Sequence, residues 1–87
     1  MKVKLISTML DIEIIATAIK TSSTTYSIQG NAVFNYSAIS NILYCDANVY
    51  MIDITFGVVR VYTQIMNKSG KWSKAINISN DIKAVIL

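Results

Sequence analysis

Between Tyr26 and Ala38 the even positions are Tyr26, Ile28, Gly30, Ala32, Phe34, Tyr36 and Ala38, while the odd ones are polar except Val33. A period of two sends alternate side chains to opposite faces of an extended chain, so this stretch predicts a half-buried β-ribbon. Gly30 and Asn31 interrupt it. A three-residue loop of Gln29, Gly30 and Asn31 sets Ile28 opposite Ala32 and Tyr26 opposite Phe34, which keeps one apolar face continuous. After the turn-like group Asp46, Ala47 and Asn48 the alternation returns, with Tyr50, Ile52, Ile54 and Phe56 on one face and Val49, Met51, Asp53 and Thr55 on the other. Apolar residues on both faces suit a central strand. Gly57 predicts a bulge or a sharp bend, and the β pattern resumes from Val58 to Met66.

Asn67 to Gly70, "NKSG", is the clearest turn in the chain. A four-residue loop there pairs Ile65 with Trp72, Val61 with Ile76 and Val59 with Ile78, which places Trp72 in the core. Ser79 to Asp81 makes a further break before "IKAVIL", an apolar run that is stable only inside the fold or an interface. At the other end, Val3 and Leu5 alternate with Lys2 and Lys4 in a short strand over residues 2–7.

Residues 8–20 read as a helix. Thr8 is a candidate N-cap with Asp11 three residues later, and Ile12, Ile15, Ala16 and Ile19 then share one helical face. Asp11 and Glu13 near the start and Lys20 near the end oppose the helix dipole. A strand would leave Ile15 and Ile19 outside with the charges, so the pattern favours the helix. "TSSTT" at 21–25 reads as a loop, and Ser37 to Cys45 as one or two helical turns around Ile39, Ile42 and Leu43.

"MKVKLIS" followed by "DIEIIATAIKTSS" resembles the opening strand and helix of flavin-dependent thymidylate synthases over residues 1–23. That family's Arg- and His-rich flavin and substrate signature has no counterpart here. The resemblance therefore implies a strand–helix start and carries over no cofactor-binding or catalytic residue.

A chain of 87 residues suits a single domain spanning 1–87. Charged residues make up 15% of it, against roughly 25% in ordinary globular domains. Its surface must therefore carry Ser, Thr, Asn and apolar groups, which favours association as a homo-oligomer or with a protein partner. The net charge of +3 is concentrated late, at Arg60, Lys68, Lys71, Lys74 and Lys83. Arg60, Tyr62, Lys71, Trp72 and Lys74 supply the aromatic and cationic groups of a base-stacking sheet, so single-stranded nucleic acid is an alternative partner, less favoured than protein.

Histidine is absent and Cys45 is the only cysteine, which leaves no Cys/His zinc spacing, no intramolecular disulfide and no His base for a nucleophile. Cys45 reads as a packing residue in a reducing, cytoplasmic setting. Asp11 and Glu13 after "LISTML" break any secretory signal, and no apolar run reaches membrane-spanning length. Gly30, Gly57 and Gly70 form no phosphate-binding pattern. Among the carboxylates, Asp53 stands out because it lies between Ile52 and Ile54 and must reach solvent or a cation such as Arg60.

The expected fold is α+β, with one N-terminal helix packed on a mainly antiparallel sheet or small barrel of five to six strands. The expected function is that of a non-enzymatic protein, without cofactor, metal or membrane, that binds other proteins. Absence of catalytic chemistry and a surface poor in charge suit an inhibitor or accessory factor, its Ile-, Asn-, Lys- and Tyr-rich composition hints at a phage or mobile-element source, and a virion or assembly subunit is a further alternative. Candidate contact residues are Asp53, Arg60, Tyr62, Lys71, Trp72 and Lys74.

Overall fold

The structure, a computed structural model, describes residues 1–7, 9, 11–29 and 47–87. These residues form seven strands: β1 (Lys2–Ser7), β2 (Ile12–Lys20), β3 (Thr25–Gln29), β4 (Ala47–Thr55), β5 (Val58–Met66), β6 (Ile76–Asn77) and β7 (Ile82–Ile86). They lie in one antiparallel sheet in the order β6-β5-β4-β3-β2-β1-β7. The class is therefore all-β. The expected α+β fold is overturned, and the strands outnumber the five or six foreseen.

The correction centres on β2. Ile12, Ile14, Ile15, Thr17 and Ile19 are β-branched, and such side chains lose rotamer freedom in a helix but fit a pleated strand. Thr17 faces Lys2, Ala16 faces Val3, Ile15 faces Lys4 and Ile14 faces Leu5 across the β1–β2 ladder. Ala16 and Ala18 turn inward and are buried, while Ile15 and Ile19 stay 56% and 44% exposed. The helix expectation assumed that both isoleucines must be buried, and the sheet leaves them outside. Asp11, read as part of a helix start, instead belongs to the β1–β2 connection with φ of 52°, a left-handed conformation that Asp tolerates. With the helix goes the likeness to the thymidylate synthase opening.

Topology forces the sheet to curl. β6 and β7 occupy opposite ends of the strand order, which in a flat sheet would set them about 29 Å apart, six spacings of about 4.8 Å. Yet only Ile78 to Asp81 join them, and five Cα steps reach at most about 18 Å. The result is a half-barrel with its two ends drawn together. The corner is tied by backbone bonds: Ile78 N–H donates to the Val61 carbonyl, and the amides of Asp81 and Ile82 both donate to the Ile78 carbonyl, each at 2.9 Å.

The core fills the inside of the curl. Val3 and Leu5 of β1, Ala16 and Ala18 of β2, Ile28 of β3, Tyr50 and Ile52 of β4, Val61 of β5, and Ile78 and Ile82 are buried together. The alternation read for residues 50–54 holds, with Tyr50, Ile52 and Ile54 turned inward opposite Thr63, Val61 and Val59. Thr63 is a buried polar residue within this wall, and its hydroxyl donates to the Val49 carbonyl at 2.8 Å.

Three local readings change. Gly57 marks a sharp bend rather than a bulge, because Thr55 pairs with Val58 and only Phe56 and Gly57 form the loop. Their φ values of 50° and 74° are both positive, as a type I′ hairpin turn requires. Phe56 thus leaves the inner face assigned to it. Ala47 and Asn48, read as a turn, already pair with Met66 and Ile65 inside β4. Finally, "NKSG" turns as expected, with the Asn67 side-chain oxygen accepting from the amides of Ser69 and Lys71, but the register beyond it slips. Met66 rather than Ile65 bridges to Trp72, Thr63 pairs with Ile76, and Ile78 rather than Ile76 bonds to Val61. Since a one-residue slip exchanges the faces of a strand, Trp72 moves out of the core to the side of Met66. The expected Gln29–Asn31 loop, its Ala32 and Phe34 pairings, the helical turns at 37–45, Cys45 and Asp46 lie outside the described residues.

Candidate contact surface

The outer face of the sheet carries the residues that the inner face excludes. On β4 these are Met51, Asp53 and Thr55, and on β5 they are Val58, Arg60, Tyr62 and Gln64. Across the ladders Thr25 stands opposite Asp53, Asp53 opposite Arg60, and Met51 opposite Tyr62. Three of the six sequence-derived candidates, Asp53, Arg60 and Tyr62, are thereby brought together on one face. Lys71, Trp72 and Lys74 lie further along, on the exposed segment leaving the Asn67–Gly70 turn.

Beside this row lies a groove of about 300 Å³ lined by Thr25, Met51, Ile52, Asp53, Tyr62 and Ala75. Its far wall, Ala75, is fixed by how the chain leaves the turn. Ser73 stands in for a backbone partner there: its hydroxyl accepts from the Ile65 amide at 3.0 Å, its own amide donates to the Ile65 carbonyl at 2.8 Å, and its carbonyl accepts from the Gln64 side chain at 3.1 Å.

Asp53 does not pair with Arg60, although the two are ladder neighbours. Its carboxylate accepts instead from the Thr55 hydroxyl at 2.8 Å. The ion pair found among the described residues joins Lys4 to Glu13 at 3.7 Å and is largely solvated, worth at most about 1 kcal/mol. Asp53 and Arg60 therefore stand side by side on the outer face, half-buried, with no ion pair between them.

The sequence reading missed Thr25, Met51 and Ala75, whose contribution depends on strand register, and it missed Phe56. At the tip of the β4–β5 hairpin Phe56 is 100% exposed. A signal for it was present, since two alternating runs separated by a dipeptide ending in Gly are a hairpin pattern whose loop residues cannot be buried.

Among the described residues no group of three acidic, Cys or His side chains could hold a metal ion, and no helix is long and apolar enough to cross a membrane. The arrangement offers apolar surface, hydroxyls and, side by side, the opposite charges of Asp53 and Arg60. No family model, no curated protein and no solved structure matches the chain.

Proposed function

We propose that the protein is a non-enzymatic binding protein that acts by protein–protein contact through the outer face of its sheet. The observation that carries this reading is the placement of large apolar side chains outside. Ile15 and Ile19 on β2, Val58 beside the hairpin tip, Val85 on β7 and Trp72 are all exposed, and large apolar side chains left outside on a chain this poor in charge favour association. Met51 and Tyr62 wall a groove that can receive a partner side chain, and aromatic residues in such positions supply much of the energy of protein contacts.

The register of Trp72 favours a second reading, a surface for single-stranded nucleic acid. Exposed between Lys71 and Lys74, it has the aromatic and cationic neighbours that stack bases and hold phosphates. Against this, Trp72 bridges Met66, four residues along β5 from Tyr62, so their backbone positions lie roughly 13 Å apart along the sheet at 3.3 Å per residue, more than the spacing of neighbouring stacked bases.

One capture experiment separates the two. Immobilised wild-type protein, exposed to an extract of its source cells, is expected to retain a protein partner or further copies of itself at moderate salt. The double variant Tyr62→Ser/Trp72→Ser should retain neither while melting within a few degrees of wild type. Retention of nucleic acid alone, lost steeply between 50 and 200 mM salt as phosphate contacts are, would replace the first reading with the second. Equal capture by both proteins would refute both.

A further inference from the structure

We propose that the free edge of β7 is a docking site for an extended segment of another protein, one that adds a strand to the sheet and carries acidic side chains at its outward positions. The site is separate from the groove walled by Met51 and Tyr62 and reaches beyond the contact reading above.

The edge follows from the β1–β7 register. The Leu87 amide donates to the Lys2 carbonyl at 3.0 Å, so Leu87 and Lys2 form a hydrogen-bonded pair. With Ile86 opposite Val3 and Val85 opposite Lys4, such pairs alternate along the ladder, and Val85 and Lys83 direct their amides and carbonyls to β1. Those of Ala84 and Ile86 point the other way, off the end of the sheet, and meet no partner among the described residues.

Sheet edges are ordinarily kept short, bulged, or guarded by proline or an inward-pointing charge, because unpaired backbone groups recruit further strands. β6, at the other end of the strand order, has 2 residues. β7 has 5, its register with β1 is unbroken, and proline is absent from the chain. Its inward positions are Ile82, Ala84 and Ile86, none of them charged. Lys83 does not guard the edge either, since its Nζ turns back to the Ser79 carbonyl at 2.6 Å. The corner shelters only the start of the strand: Ile82 is 0% exposed, whereas Val85, Ile86 and Leu87 are 46%, 40% and 60% exposed. Ile86 thus holds an inward position without cover, which a further strand beside β7 would supply.

Three features define the occupant. The open amides and carbonyls require an extended backbone, as in peptides that bind by joining a sheet. Ile86 requires an apolar residue on the inner side. Charge sets the outer side, where Lys2, Lys4 and Lys83 gather at this end of the sheet against Glu13 and Asp81. Only Lys4 has an ion-pair partner among the described residues, Glu13 at 3.7 Å. Aspartate or glutamate at the outward positions of the incoming strand would lie beside Lys83 and Lys2. A second copy of the chain would instead bring its own lysines to the same edge, like charge against like.

Fluorescence anisotropy tests the proposal, with the full chain and a short labelled peptide alternating valine with aspartate. This peptide is expected to bind about tenfold or more tightly than one alternating valine with lysine, and to lose binding when N-methylated at its valines, the residues set to pair with Ala84 and Ile86. Ala84→Pro removes an outward N–H that β1 does not use, so it should weaken binding about tenfold or more while melting within a few degrees of wild type. Tyr62→Ser/Trp72→Ser should bind the peptide as wild type does. No binding below about 1 mM, equal binding of the N-methylated or the basic peptide, or an Ala84→Pro-sensitive dimer of the chain alone would each overturn the proposal. If the peptide fails to bind yet capture from the extract depends on Tyr62 and Trp72, the outer-face reading stands and this inference alone falls.

Discussion

Replacing Leu5 with Ala is expected to lower stability by about 2–5 kcal/mol, the range for truncating a fully buried leucine. Leu5 is 0% exposed at the centre of β1, between Ile14 of β2 and Ala84 of β7. Ala84 is too small to fill the space left behind, so the cavity persists and adds to the lost burial. At about 4–8 °C per kcal/mol for a domain of this size, the midpoint of thermal unfolding should fall by roughly 10–40 °C, as read by circular dichroism. A fall of only a few degrees would mean that β1 is not the inner wall described here.

The second large effect comes from a hydroxyl. Ser79 accepts from the Val61 amide at 2.9 Å and lies 3.5 Å from the Val61 carbonyl. It fills a gap in the ladder where β6 has ended and the corner toward β7 begins. Its backbone is held as well, with its amide donating to the Asn77 side chain at 2.9 Å and its carbonyl accepting from Lys83 Nζ at 2.6 Å. Val61 is 1% exposed, so in Ser79→Ala its amide has no route to water and loses its partner. Leaving a buried donor unsatisfied costs about 1–3 kcal/mol. The signature is local as well as global: hydrogen exchange at the Val61 amide should accelerate by more than the loss of global stability explains. Unchanged exchange there would show that the corner is closed by other means.

Much of the strand content was legible in the alternation. Lys2–Ser7, the inner face of Tyr50, Ile52 and Ile54, the run from Val58 to Met66, and the turns at Asn67 and Ser79 all follow from a period of two and from turn-forming residues. Such signals are local, so they survive without knowledge of neighbours. What failed required knowing which strand lies next door. Residues 12–20 satisfy both a helical and an extended period, and the choice turned on whether Ile15 and Ile19 are buried, which the sequence does not state. The register after "NKSG" failed in two steps: the loop closes with Trp72 opposite Met66, one residue longer than foreseen, and the chain from Trp72 to Ile76 then takes one residue more than β5 does from Met66 to Thr63. Nothing in the turn itself encodes either extra residue.

The candidate site divides in the same way. Asp53, Arg60 and Tyr62 could be named because each is a polar or aromatic residue on an alternating strand. Their convergence depends on the β4–β5 pairing, fixed by the Phe56-Gly57 turn, where the sequence alone predicts a bulge or a sharp bend. The groove needs Thr25 from β3 and Ala75 from beyond the next turn as well, three separate registers that no local pattern sets.

The proposed contact surface depends above all on β2 being a strand, because that conformation puts Ile15 and Ile19 outside. The direct measurement is the pattern of proton–proton contacts in a nuclear magnetic resonance spectrum. The Met1 carbonyl accepts from the Ala18 amide at 2.7 Å, so pairs alternate along this ladder and Lys4 opposite Ile15 is a closely spaced, non-hydrogen-bonded pair. A strong contact between the α-protons of Lys4 and Ile15 is the predicted result. Successive amide–amide contacts through residues 12–19, with α-proton contacts three residues ahead, would mean a helix and would contradict the fold and the contact surface together.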